Sequence, residues 1–192
     1  MKVKKLVFGV GVNDAGYTVQ PTVNGERSLC QFYRAWSQMI GRCYDANLQA
    51  RMPTYVGCTV CAEWLTFSNF KKWMETQSWQ AKQLDKDLLV KGNKSYSPET
   101  CVFIDKVTNT FMTECDASRG EWSIGASFHK SSGKFRASCR NPFTKKLEHL
   151  GYFTCQEQAH LAWKKRKHEL ACQLADLQTD ERVAAALRLR YA

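Results

Sequence analysis

Residues 84–104 read LDKDLLVKGNKSYSPETCVFI, and the fold of the first half of the chain turns on them. From Gln83 the residues suit an extended segment, Lys91-Gly92-Asn93 suits a turn, and an irregular return leads to a short second strand at Cys101 to Ile104. Gly and Asn supply the reversal, while β-branched and aromatic residues gather in the strands. A polar-rich helical stretch follows from about Lys106 to Thr113. Strand, turn, strand and helix in that order outline a ββα unit.

Upstream, Ser28 precedes an apolar series at Leu29, Phe32, Tyr33, Trp36, Met39, Ile40 and Cys43. Those steps of three and four predict an amphipathic helix. A loop with Pro53 and Gly57 follows, then a short extended piece from Cys58 to Cys61, then a second helix from about Thr66 to Thr76. Phe67, Phe70, Trp73 and Met74 fall on one side of that helix and are read as core. Gly9 to Arg27 is Gly-rich and polar.

Downstream the pattern changes. Three β-like segments, EWSIGASF at 121–128, KFRASCR at 134–140 and LEHLGYF at 147–153, are separated by Ser131-Ser132-Gly133 and Asn141-Pro142. Thr154 and Glu157 have the spacing of a capping box, which predicts a helix running to about Leu177, and a last helical turn or two spans Glu181 to Leu189. Asp116 to Gly120 reads as a linker, so two domains are expected, 1–118 and 119–192. The fold class expected is α+β, with a ββα unit and flanking helices followed by a three-stranded antiparallel sheet packed on a C-terminal helix.

The chain has 192 residues, and 44% of them are apolar, with six Trp, seven Tyr and ten Phe. That is enough to fill a core, and it excludes disorder and collagen. No apolar run approaches the roughly 18 to 20 residues of a membrane helix, so no membrane partner is expected. In MKVKKLVFGVGVNDAGY the short apolar stretch is broken by Gly9, Gly11, Asn13 and Asp14; no signal h-region is expected there, and the cytoplasm is the expected compartment. The nine Cys, an odd number spread from Cys30 to Cys172, read as reduced thiols.

Lys and Arg number 28 against 18 Asp and Glu, a net +10 that favours a polyanionic partner. Residues 120–172 hold ten Lys or Arg against four Glu, so +6 of the charge lies there. Within 134–140, Lys134, Arg136, Ser138 and Arg140 share one face by the period of two, and Phe135, Ala137 and Cys139 share the other. A cationic face opposed to an apolar one is what a DNA-facing strand backed by a helix requires. Lys164-Lys165-Arg166-Lys167 covers four successive helix directions, and is read either as a solvated surface or as a phosphate contact.

The ββα outline resembles the HNH endonuclease family, whose motif sets an Asp-His pair on the first strand, an Asn before the helix and a His or Asn on the helix. Laid on it, Asp85-Lys86 takes the Asp-His place, Thr100 the middle Asn place and Asn109 the last ligand place. The resemblance extends to FYRAWSQMIGRCYD at 32–45, YVGCTVCAEWLTFSNFKKW at 55–73 and the Tyr96-Ser97-Pro98-Glu99 turn before Cys101, which look like HNH-like proteins of bacteriophages and prophages. It implies a homing or nicking endonuclease of double-stranded DNA, with Asp85, Asp87 and Asn109 holding one Mg or Mn ion that polarises the phosphate. Lys86 would stand where the family has its catalytic His, and Thr100 would orient it. Lysine has an ordinary pKa near 10.4, and must lose several units to act as a base.

Cys58-Thr-Val-Cys61 has the spacing of a zinc knuckle, with Cys43, Cys101 or Cys115 as separated candidates to complete a structural zinc site. The alternative is that Cys43 and Cys101 are plain core residues. The C-terminal module resembles the AP-two/ERF-type DNA-binding domain, through Gly125, Lys134 to Ala137, the Leu150 to Thr154 turn, and Glu157 and Ala159 on the helix. That resemblance implies DNA contact by Lys134, Arg136, Arg140, Lys145 and Lys146. Two rivals to the nuclease stand: a DNA-binding or regulatory protein that kept the scaffold without the catalytic His, and a phage antagonist of a host nuclease or defence complex.

Overall fold

A computed structural model of the chain describes residues 5–113 and 121–192. The linker expected at Asp116 to Gly120, and Cys115 before it, lie outside them. Two units are distinguished, Met1–Ile104 and Asp105–Ala192. Both combine helices with small sheets, so the chain is α+β, as its pattern of elements predicts.

In the first unit Asn24 and Gly25 stand at φ 52° and 82°, the pair of positive values that a two-residue hairpin turn needs. They join β1 (Thr22–Val23) to its antiparallel partner β2 (Glu26–Arg27). Helix α1 (Gln31–Tyr44) follows, with Trp36, Met39 and Ile40 wholly buried on the face that the apolar spacing marks out. The Asp45 carboxylate accepts from the amides of Asn47 and Leu48 and starts a short further helix, α2 (Ala46–Arg51). Strand β3 (Thr59–Val60) and helix α3 (Phe67–Glu75) lie where the sequence places an extended piece and a helix.

Strand β4 (Gln83–Asp85) leads into the turn, and β5 (Ser95–Tyr96) and β6 (Val102–Ile104) form the return. The return splits between two partners: β6 runs antiparallel to β4, with Leu84 opposite Phe103, while β5 pairs parallel with β3. An aromatic cluster centres this unit. Trp36 meets Phe67 at 5.5 Å between ring centroids, Trp64 lies 4.4 Å from Trp73, and the Trp36 indole donates to the Trp64 carbonyl at 2.7 Å. Burying an indole is tolerated only when its N–H finds such an acceptor.

The second unit begins with α4 (Lys106–Met112), whose N-cap Asp105 accepts from the Thr108 amide and hydroxyl at 2.8 and 2.7 Å. Then come β7 (Ala126–His129), β8 (Lys134–Arg140) and β9 (Leu147–Phe153), one antiparallel sheet in the order β7-β8-β9. The chain closes with α5 (Gln156–Ala175), packed on that sheet, and α6 (Glu181–Arg190), packed on α5. Helix α5 starts a residue later than the capping-box spacing suggests. Cys155 is its N-cap, and Thr154 donates its hydroxyl to Gln158 rather than capping.

The sequence reading sets the domain boundary at 118/119; the compact units meet at Ile104/Asp105, which places α4 in the second. Its attachment there is chemical: Phe111 packs edge-on against Tyr191 at 5.9 Å, and Lys167 of α5 donates to the Phe111 carbonyl at 2.5 Å. Among the described residues no helix is long and apolar enough to cross a membrane.

Candidate nucleic-acid interface

Register sets the two faces of the three-stranded sheet. Arg136 stands opposite Ser127 on one side and Tyr152 on the other, Lys134 opposite His129, Ser138 opposite His149, and Arg140 opposite Leu147. Directly opposed residues share a face, so Lys134, Arg136 and Arg140 stand among Ser127, Ser138, His129, His149 and Tyr152. All three cations are exposed, as are Lys145 and Lys146 in the turn after β8. The other face carries the rung Phe128–Phe135–Phe153, with Trp122 edge-on to Phe135 at 5.1 Å, and the rung Ala126–Ala137–Gly151 beneath α5. Ala137 of the sheet and Ala159 of α5 are both wholly buried; residues this small let helix and sheet close tightly.

Sequence reading recovers the cations of this face but not its rings. Tyr152 lies 5.1 Å from His129 and 4.8 Å from His149 between ring centroids, which makes an imidazole–phenol–imidazole row beside Arg136. His149 joins Tyr152 only because the register slips between Ala137 and Ser138, where Gly151 takes φ 127°. Strict alternation along β9 would pair Leu150 with Tyr152, so the bulge re-aims a side chain toward the polar face. His129 is held in turn by the Ser132 hydroxyl at 2.9 Å. Register opposite Arg136 was the signal, and it is not visible along a single strand.

The turn that presents Lys145 and Lys146 is braced from below. Asn141 is buried; its Oδ1 accepts from the amides of Phe143 and Thr144, and its Nδ2 donates to Glu148 at 2.7 Å. Arg166 clamps the same carboxylate through Nε at 2.7 Å and Nη2 at 3.2 Å. Hydrogen bonds from Arg166 and Asn141 hold the Glu148 pKa below the ordinary glutamate value. Arg166 also bonds Glu169, and Lys167 sits 3.6 Å over the Phe111 ring. Two of the four basic residues at 164–167 therefore tie the second unit together.

In the first unit, the residues of the HNH-like reading serve its own turn. Asp85 Oδ1 accepts from the amides of Asp87 and Leu88 at 3.0 and 2.7 Å. Burial pushes the Asp85 pKa up, and the Asp87 charge adds to this. The Lys86 ammonium is buried and donates to Asp87 Oδ2 at 3.0 Å. Burial penalises that ammonium, but the hydrogen bond and charge of Asp87 win and hold its pKa above the ordinary lysine value. Lys86 is thus paired with its neighbour Asp87 in this turn. Thr100 donates to the Ser95 carbonyl at 2.8 Å and lies 3.2 Å from the Ser97 hydroxyl, so it braces the return between β5 and β6. Asn109 is on α4, in the second unit.

The side chains that the resemblance offers to a metal make contacts of their own. Asp87, offered as a ligand, already holds a lysine ammonium, and Asp85 Oδ1 is taken by two amides. Of the cysteines offered to zinc, Cys43, Cys58 and Cys101 are buried, and burial pushes the Cys43 and Cys101 thiols up to about 12. Cys61 is also pushed up by burial. Among the described residues no three His, Cys, Asp or Glu side chains gather closely enough to share an ion.

Neither a protein-family model, nor a curated protein, nor a solved structure matches this chain.

Proposed function

We propose that the protein binds double-stranded DNA through the outer face of β7-β8-β9, without hydrolysing it. The observation that carries this reading is the segregation of the sheet: Lys134, Arg136 and Arg140 exposed on one face with Tyr152, His129 and His149, and on the other an aromatic rung beside the Ala126–Ala137–Gly151 rung beneath α5. Three strands about 4.8 Å apart span about 10 Å between their outer backbones, which suits a major groove about 12 Å wide. Cations positioned by backbone register meet phosphates, and the row of rings and hydroxyls between them meets base edges and sugars.

Binding of this kind depends steeply on salt. With Lys134, Arg136, Arg140, Lys145 and Lys146 each on a phosphate, log K against log salt is expected to fall with a slope of about −4 to −5. Gel shift or fluorescence anisotropy over a salt series measures it, and an affinity indifferent to salt would rule out phosphate contact by this face.

Hydrolysis is the competing reading, and the Lys86–Asp87 pair weighs against it, since the base position holds a paired cation. Supercoiled plasmid incubated with the protein and Mg or Mn is expected to stay supercoiled. Conversion to open circle that Asp85→Ala abolishes would restore the endonuclease and return Asp85, Asp87 and Asn109 to the role of ligands.

A further inference from the structure

We infer that the second unit holds an unstacked nucleobase of its bound DNA in a cleft of about 680 Å3 beside the sheet, with Lys106, Arg140 and Lys145 on the flanking phosphates. This inference rests on the reading of the sheet as a DNA interface and adds a second element of recognition to it.

The cleft has the shape and chemistry of a nucleotide site. Val107, Phe111 and Pro142 make its lining mainly apolar. Val107 is 43% exposed, an apolar side chain left open to solvent at this spot. Cations stand around that apolar surface, and no Asp or Glu lines the cleft among the described residues. A planar, weakly polar ring attached to an anionic backbone complements such a surface; a neutral apolar ligand would leave the cations unused, and an inorganic anion would leave the apolar wall bare. The volume falls within the usual range of small-ligand sites, about 300 to 1,000 Å3.

Position ties the cleft to the interface. Arg140 is the last residue of β8 on the cationic face and also lines the cleft, and its Nη1 donates to the Lys145 carbonyl at 2.8 Å. A strand whose phosphates rest on Arg136 and Arg140 thus arrives at the opening of the cleft. The polar groups of Asn141 are spent on Glu148 and the turn amides, and the Thr113 hydroxyl donates to the Asn109 carbonyl, which leaves the Thr110 hydroxyl as a neutral contact for a base edge. Preference among the four bases is therefore expected to be weak, as where packing rather than edge hydrogen bonding holds the base.

A duplex carrying one bulged adenine, the same duplex with an abasic residue in the bulge, and the plain duplex distinguish the possibilities. The abasic form keeps every phosphate and removes only the ring. Wild-type protein is expected to bind the adenine bulge about tenfold more tightly than the abasic one, the size of effect that packing one base gives. Thr110→Trp, which fills the cleft, and Val107→Gln, which makes its wall polar, are both neutral changes at exposed positions of α4. Each is expected to bring the two bulge affinities together while leaving plain-duplex binding intact. Equal wild-type affinity for both bulges, with the plain duplex still bound, overturns the inference alone. A tenfold preference that survives both variants also overturns it, because the base would then be held elsewhere. Failure to bind any of the three duplexes defeats the interface reading beneath it.

Discussion

Gly125→Ala is expected to lower the stability of the second unit by more than about 4 kcal/mol, the range reserved for a severe clash in a packed interior. Gly125 stands at φ 82° at the entrance to β7, and a Cβ built there would lie 2.0 Å from Trp163 Cγ and 2.4 Å from its Cβ. No rotamer change relieves contact with a neighbour's own Cβ, so α5 or the strand would have to move. Trp163 is buried, stacked at 24° on His160 and edge-on to Tyr191, and His160 is anchored to the Ile124 carbonyl at 2.8 Å. Gly133 supplies the control. It has φ 65° but open space where its Cβ would go, so Gly133→Ala should cost only about 1–2 kcal/mol of backbone strain. Urea unfolding of the two variants measures the difference; equal midpoints would mean that Trp163 yields and the close approach is not what holds α5 on the sheet.

Reversing the charge of the sheet face is expected to be as decisive for binding. The triple variant Lys134→Glu, Arg136→Glu, Arg140→Glu should lower affinity for duplex DNA by a hundredfold or more at about 0.1 M salt, since three attractive phosphate contacts become repulsive. The three side chains are exposed, so the fold should survive, and an unchanged unfolding midpoint verifies that it does. Lys164→Glu with Lys165→Glu, on α5, alters charge off the sheet and should cost far less. If the two variants lose affinity equally, net charge rather than this face governs binding. Arg166 is unsuitable for such a comparison, because removing it strips Glu148 of its clamp at 2.7 Å and would mix stability with affinity.

Much of the architecture was legible one residue at a time. Helix α1 followed from apolar residues at steps of three and four, and β8 from a clean alternation whose exposed and buried positions match the period of two. Short elements lie outside what apolar periodicity shows. The Asn24-Gly25 pair was a hairpin turn, and Asp45 was a cap. Residues 84–104 yielded their strands but not their pairing, because the return from Ser95 to Ile104 divides between β3 and β4. Motif spacing likewise sets Asp85, Lys86 and Thr100 together, and the structure adds a hydrogen bond from each into the local turn, which spacing does not show.

By itself the sequence determined the longer helices, the cationic and apolar faces of the central strand, and the concentration of positive charge after residue 120. These depend on periodicity and composition, which are properties of neighbours along the chain. Tertiary structure alone decided that the two histidines flank Tyr152, that Arg166 and Lys167 are structural, and that Lys86 is a paired cation. Each of these turns on register, burial or a partner distant in sequence, and the strength of a charge or hydrogen bond depends on what surrounds it in space.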